Sequence, residues 1–292
     1  MRLEDGRESD NIEDRRGVRG SMTGGGGRRI GVGTIVLALV AMYFGVDPSV
    51  VLNMGAGMPE TQHQASVAPG VRATGQAEDD ALARFTSRVL ADTEDTWGEL
   101  FRAGGKQYRE PTLVLYTGGT QTACGAGQAA MGPFYCPGDE RVYLDLGFYR
   151  DLQARFAAPG DFAQAYVIAH EIGHHVQHQL GIAEKVQQAK QRASERDANQ
   201  LQVRMELQAD CFSGIWAHHA NRSRGILEQG DVEEALRAAS AIGDDTLQKQ
   251  AQGYAVPESF THGSAEQRAR WFRRGLDSGE MKACDTFSVR AL

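Results

Sequence analysis

His170-Glu171-Ile172-Gly173-His174 is the one stretch whose residue types and spacing together specify a chemistry, and it also decides where the long helices lie. Around it Phe162, Ala165, Tyr166, Ala169, Ile172, Gly173 and Val176 recur at helical spacing. Asp161 with Gln164 forms a capping-box pattern and Gly181 a C-terminal stop, so the motif is expected inside a helix. Residues four apart on a helix lie one turn apart on nearly the same face. His170 and His174 can therefore direct both imidazoles at one metal ion, and one Zn2+ per chain is the cation this pairing suits. Glu171 projects beside them, where it can take a proton from metal-bound water.

Neither His175 nor His178 has the spacing to complete such a site, and both are expected in supporting or solvated roles. The longer H-E-x-x-H-x-x-G-x-x-H pattern is excluded, because Gln177 and Leu180 stand where it needs Gly and His. A catalytic zinc takes three protein ligands and keeps one position for water, so a third side chain must lie downstream. Glu206 is the best candidate: it opens Glu206-Leu207-Gln208-Ala209-Asp210 and lies one helical position from an apolar stripe. Asp210, four residues on, can stand behind the site as an acceptor for a ligand. Glu195, Asp197, His218 and His219 remain as alternatives in more polar surroundings.

The chain has 292 residues, of which 41% are hydrophobic and 24% charged, enough for one sizeable domain with appendages. A net charge of −7 argues against nucleic acid as a partner, because no dominant basic face is available to neutralise phosphates. The basic residues are local. Arg15, Arg16, Arg19, Arg28 and Arg29 come without intervening acids before Ile30 to Val46, an uncharged run of 17 residues. That arrangement predicts a single transmembrane helix over 30–46, with a disordered cytoplasmic tail over 1–29 and a flexible linker over 47–77. A cleaved signal peptide is the competing reading, but Gly45-Val46-Asp47-Pro48 offers no small-x-small cleavage site. All four cysteines fall after the run, on what would be the extracytoplasmic side of the cytoplasmic membrane. Cys124 with Cys136 would close a short Gly-rich loop, leaving Cys211 to pair with Cys284. A four-cysteine zinc site is the alternative, and it lacks a C-x-x-C pair.

The folded domain is expected over 78–292. Leu82, Phe85, Val89, Trp97, Leu100 and Phe101 mark an amphipathic helix that stops at Gly104-Gly105. Strand-like runs follow at Thr112 to Tyr116, Phe134 to Cys136 and Arg141 to Leu146. The glycines at 118–119 and 125–127 meet no nucleotide fingerprint and read as a flexible loop. Leu201, Met205, Ala209, Phe212 and Trp216 define another long helix. Asp231 with Glu234 and Ser264 with Gln267 cap two more, the last ending at Gly275. The class is α+β, a small β-sheet followed by a mainly helical half.

Several stretches outside the motif carry a resemblance: Arg7-Glu8-Ser9-Asp10-Asn11, Ala123-Cys124-Gly125, Gly132-Pro133-Phe134-Tyr135-Cys136-Pro137, Gln164 to Val167, Glu206 to Cys211, and Phe260-Thr261-His262-Gly263-Ser264. On them the chain resembles the bacterial neutral zinc metallopeptidase family of YpfJ-like, membrane-anchored proteins, from its first residues to its C-terminus. The resemblance implies a zincin-like, gluzincin-like site with His170, His174 and Glu206 on zinc, Glu171 as base, and a protein or peptide substrate. Similar zinc peptidases supply a donor to the carbonyl oxygen from the C-terminal half, a role that His262 fits, with Tyr254 and Arg268 as rivals. Two other readings stand beside a membrane-anchored peptidase. One is a non-catalytic, membrane-tethered interaction protein with a structural or vestigial zinc site, the other a zinc hydrolase of cell-wall amides.

Overall fold

The structure is a computed structural model that describes residues 1–17, 69–129 and 132–292, with the backbone alone for 69–75. Met1–Val18 and Glu78–Leu292 form one compact unit and Arg19–Ala77 another. In chain order the described elements are β1 (Ile12–Asp14), α1 (Pro69–Ala103), β2 (Thr112–Tyr116), β3 (Gly119–Thr122), β4 (Gly125–Gln128), β5 (Phe134–Cys136), β6 (Arg141–Asp145) and α2 (Gly147–Ala154). After them come α3 (Asp161–Gln179), α4 (Ile182–Lys190), α5 (Glu195–Arg224), α6 (Asp231–Ala241), α7 (Asp244–Gln252) and α8 (Ala265–Ser278). The fold is mixed α+β and mostly helical.

Thr112 to Tyr116 and Arg141 to Asp145 are runs buried at nearly every position, as strands inside a sheet should be. They pair in parallel at the centre of a four-stranded sheet of order β1-β2-β6-β5, with β5 antiparallel on one edge. The other edge is unexpected. Residues 12–14, assigned above to a disordered tail, form β1 and pair in parallel with β2. Met1 and Leu3 are buried in the main core, so the described part of the segment is integral to the domain. Periodicity could not reveal this, since a three-residue strand among charges carries no apolar pattern. The tail assignment is therefore corrected for residues 1–17. The proposed membrane run 30–46 lies outside the described residues, and among the described residues no helix is long and apolar enough to cross a membrane. The linker assigned to 47–77 also lies outside them up to residue 68, and from Pro69 onward the backbone is helical rather than irregular.

The glycines read as a loop form the hairpin β3–β4. At Gly127 a side chain would be crowded, since a Cβ there would lie 2.6 Å from the Phe134 ring. Cys124–Cys136 ties the hairpin's turn to β5, and Cys211–Cys284 ties α5 to the C-terminal segment. Both pairings agree with the expectation, and no cysteine is free.

The helical half packs on the motif helix. Phe162 of α3 stacks on Trp216 of α5 at 5.9 Å, Tyr166 meets Phe272 of α8 edge-on at 5.5 Å, and Trp97 of α1 meets Phe212 at 5.6 Å. Each such fully buried apolar side chain contributes about 1.5–3 kcal/mol. Three helix boundaries differ from expectation. Asp161 and Asp231 are the first residues of α3 and α6 rather than caps; glycines precede both, with no side-chain cap. Gly275 does not end α8, which runs on to Ser278 and stops at Gly279 in the left-handed region. Gly275 instead marks a helix crossing, where a Cβ would lie 1.9 Å from the Cys211 carbonyl oxygen. Ser264 and Gln267 do form the expected capping box.

Candidate metal centre

The fourfold spacing places His170 and His174 one turn apart on α3, their rings 4.8 Å apart and edge to face. Glu206 comes to them from α5 because the two helices approach closely at Gly173. A Cβ there would sit 3.0 Å from the Ala209 Cα and carbonyl oxygen, so the glycine inside the motif sets the distance between the ligand-bearing helices. Glu206 Oε2 lies 3.2 Å from His170 Nε2 and 3.4 Å from His174 Nε2. One donor atom from each residue lies within 4.8 Å of the other two. Ligand bonds of about 2.0–2.2 Å in a tetrahedron imply donor separations of about 3.3–3.5 Å, so this set of two imidazoles and a carboxylate fits Zn2+.

The atoms behind the donors fix which ring nitrogens face inward. His170 Nδ1 is 2.8 Å from Asp210 Oδ1 and His174 Nδ1 is 2.9 Å from Gln177 Oε1, so each ring donates outward and presents Nε2 to Glu206. Gln177 is held in turn, its amide donating to the Met205 carbonyl at 2.7 Å. Asp210 is wholly buried between Tyr166, whose hydroxyl donates at 2.5 Å, and Arg268, whose Nε and one terminal nitrogen each donate at 2.9 Å. Burial opposes the Asp210 charge, but Arg268 and His170 outweigh it and hold the carboxyl down to about 2. Burial likewise opposes charge on His170, but Asp210 and Glu206 raise the metal-free imidazole to about 10. Glu206 is held well below the usual carboxylate range by His174 and His170 against its own burial. Glu171 goes the other way, because burial raises it more than the two histidines lower it.

These groups open onto a cavity of about 630 Å³. His170, Glu171, His174 and Glu206 line it together with Phe134, Tyr135, Phe148 and Phe156. That size and mixture suit a peptide-sized ligand. His262 also lines the cavity. Asp244 Oδ2 accepts the backbone N–H groups of Thr261, His262 and Gly263 at 2.7, 2.7 and 3.1 Å, and Oδ1 faces His262 Nδ1 at 3.1 Å. Burial disfavours the His262 cation, but Asp244 and Glu206 raise it above its ordinary value.

Other candidates lie elsewhere. His218 and His219 face the carbonyls of Leu276 and Gly279, and Asp197 engages its own cap, Ser194. Glu195 is an exposed first-turn residue of α5, and Tyr254 is 62% exposed outside the cavity lining. His175 is fully buried against Tyr135 and the Arg109 carbonyl, and burial pushes it down to about 4. Sequence reasoning missed Gln177 and Asp244 altogether. Gln177, three residues after His174, was legible as an i, i+3 neighbour; Asp244 is brought to His262 only by the fold.

A family model described as "Putative neutral zinc metallopeptidase" matches residues 1–287. The uncharacterized protein YpfJ of Escherichia coli (strain K12) is 53% identical over 98% of this chain and 99% of its own length. Uncharacterized proteins of Mycobacterium bovis and Mycobacterium tuberculosis are 38% identical over 86% of this chain and 86% of theirs. No solved structure matches.

Proposed function

The chain belongs to the neutral zinc metallopeptidase family, and we propose that it hydrolyses peptide bonds at the His170-His174-Glu206 group. The observation that carries this reading is the convergence of three donors beside the buried Glu171, all lining one peptide-sized cavity. Zinc bound there would polarise the scissile carbonyl and bring the pKa of its water towards about 7. Glu171 would serve there as the base that accepts a proton and passes it to the leaving nitrogen, a double task for which a raised carboxyl is suited. Asp244 orients His262 so that its other ring nitrogen can donate to the carbonyl oxygen as charge develops. Asp210, fixed by Arg268 and Tyr166, holds the His170 tautomer.

A three-ligand group also leaves one position for water, which a closed structural zinc site would fill with protein. Metal analysis of the purified full-length chain tests the ligand set. One zinc per chain is expected, with loss in His170→Ala and Glu206→Ala; an unchanged stoichiometry in both would overturn the assignment.

A further inference from the structure

The segment that precedes the apolar run Ile30 to Val46 is built into the domain that follows it. Ile12, Glu13 and Asp14 pair with Leu113, Val114 and Leu115, and the Arg15 N–H extends the ladder to the Leu115 carbonyl at 2.7 Å. Leu3 lies in the main core. Glu94 of α1, its side chain 1% exposed, accepts from Arg7 at 2.8 Å, from the Ser9 hydroxyl at 2.5 Å and from the Asn11 amide at 2.9 Å. Those partners come wholly from the N-terminal segment, and without them a buried carboxylate would stand unpaired. Further pairs join Glu13 to Arg141 at 2.7 Å and Arg16 to Asp80 at 3.1 Å.

A single crossing by residues 30–46 would set a hydrocarbon layer about 30 Å thick between the two halves of this sheet and core. Neither a β-ladder nor a buried ion pair can form across it. We propose that residues 1–17 and 78–292 lie on the same face of any membrane that the apolar run engages. This replaces the single-pass arrangement expected from the arginines. Two of those five residues have other employment, since Arg15 pairs with Glu13 at 2.7 Å and Arg16 with Asp14 at 2.6 Å, which weakens the charge asymmetry that pointed the tail inward. The two disulfides assign the shared face to the oxidising compartment.

Impermeant-maleimide labelling of the full-length chain in spheroplasts tests it. Asp10→Cys and Glu266→Cys each place one thiol at an exposed position, one in the N-terminal segment and one on α8, and the native cysteines are all paired. Both positions should label before the membrane is permeabilised, to the same extent. Labelling of one position before and the other only after permeabilisation would overturn the proposal. Labelling of both only after it would keep the shared face and overturn its placement in the oxidising compartment.

Discussion

Asp210 receives the Tyr166 hydroxyl, the Arg268 guanidinium and His170 Nδ1 with no exposure to water, so each of these partners depends on the others. Arg268→Met leaves that carboxylate buried beside one weaker cation. The expected loss is about 3–5 kcal/mol of stability, read from the urea midpoint. Asp210→Asn keeps the shape and weakens the acceptor, and zinc affinity by competition with a chromophoric chelator should fall about 10- to 100-fold. The His262–Asp244 pair gives a pH dependence. His262 is raised in the folded protein, so its contribution to stability is fully present below its unfolded pKa and is lost as pH rises through the folded one. Asp244 is lowered, because the His262 interaction outweighs its burial, and its contribution is lost only as pH falls through the folded carboxyl value. The Tm advantage of wild type over His262→Gln should therefore be larger at pH 5.5 than at pH 9; an advantage that grows with pH would refute the pairing. Of these residues, Asp210 was legible from its i, i+4 relation to Glu206. Arg268 stood only as a rival donor, because nothing in a linear pattern says that α8 passes behind the site.

At the level of elements, the helices owe their closeness to residues without side chains. Gly275 faces the Cys211 carbonyl and Gly214 faces that of Phe272, where a Cβ would come within 1.9 and 2.1 Å. Gly275→Ala must push α8 away from α5, with a loss of about 1–3 kcal/mol or more in the denaturation midpoint. Gly173→Ala makes a milder demand, 3.0 Å from Ala209, but at the crossing that carries Glu206. It should weaken zinc binding more than it lowers Tm. The existence of these helices was legible from their 3.6-residue apolar stripes, and the central strands from their unbroken apolar runs. The glycines were misread, Gly275 as a stop and 125–127 as a loop, because a glycine required by a close neighbour looks in sequence like one required by a turn.

For the whole molecule, the domain is not the continuous block 78–292 that hydrophobic patterning suggests, since β1 and the partners of Glu94 come from before the apolar run. A fragment beginning at Glu78 should be less stable than the full chain, because Glu94 loses its partners, Leu3 leaves the core and β2 becomes an edge. Equal urea midpoints would contradict the role given to residues 1–17. The catalytic reading needs the full-length chain for the same reason. In the proposed mechanism Glu171 moves the proton while three other residues hold the metal, and zinc content and peptide hydrolysis of wild type and Glu171→Gln, measured side by side, test that division. Glu171→Gln should carry as much zinc as wild type and cleave a peptide library slower by several orders of magnitude. Full-rate cleavage by zinc-loaded Glu171→Gln, or a zinc-loaded wild type that cleaves no peptide in the library, would contradict it.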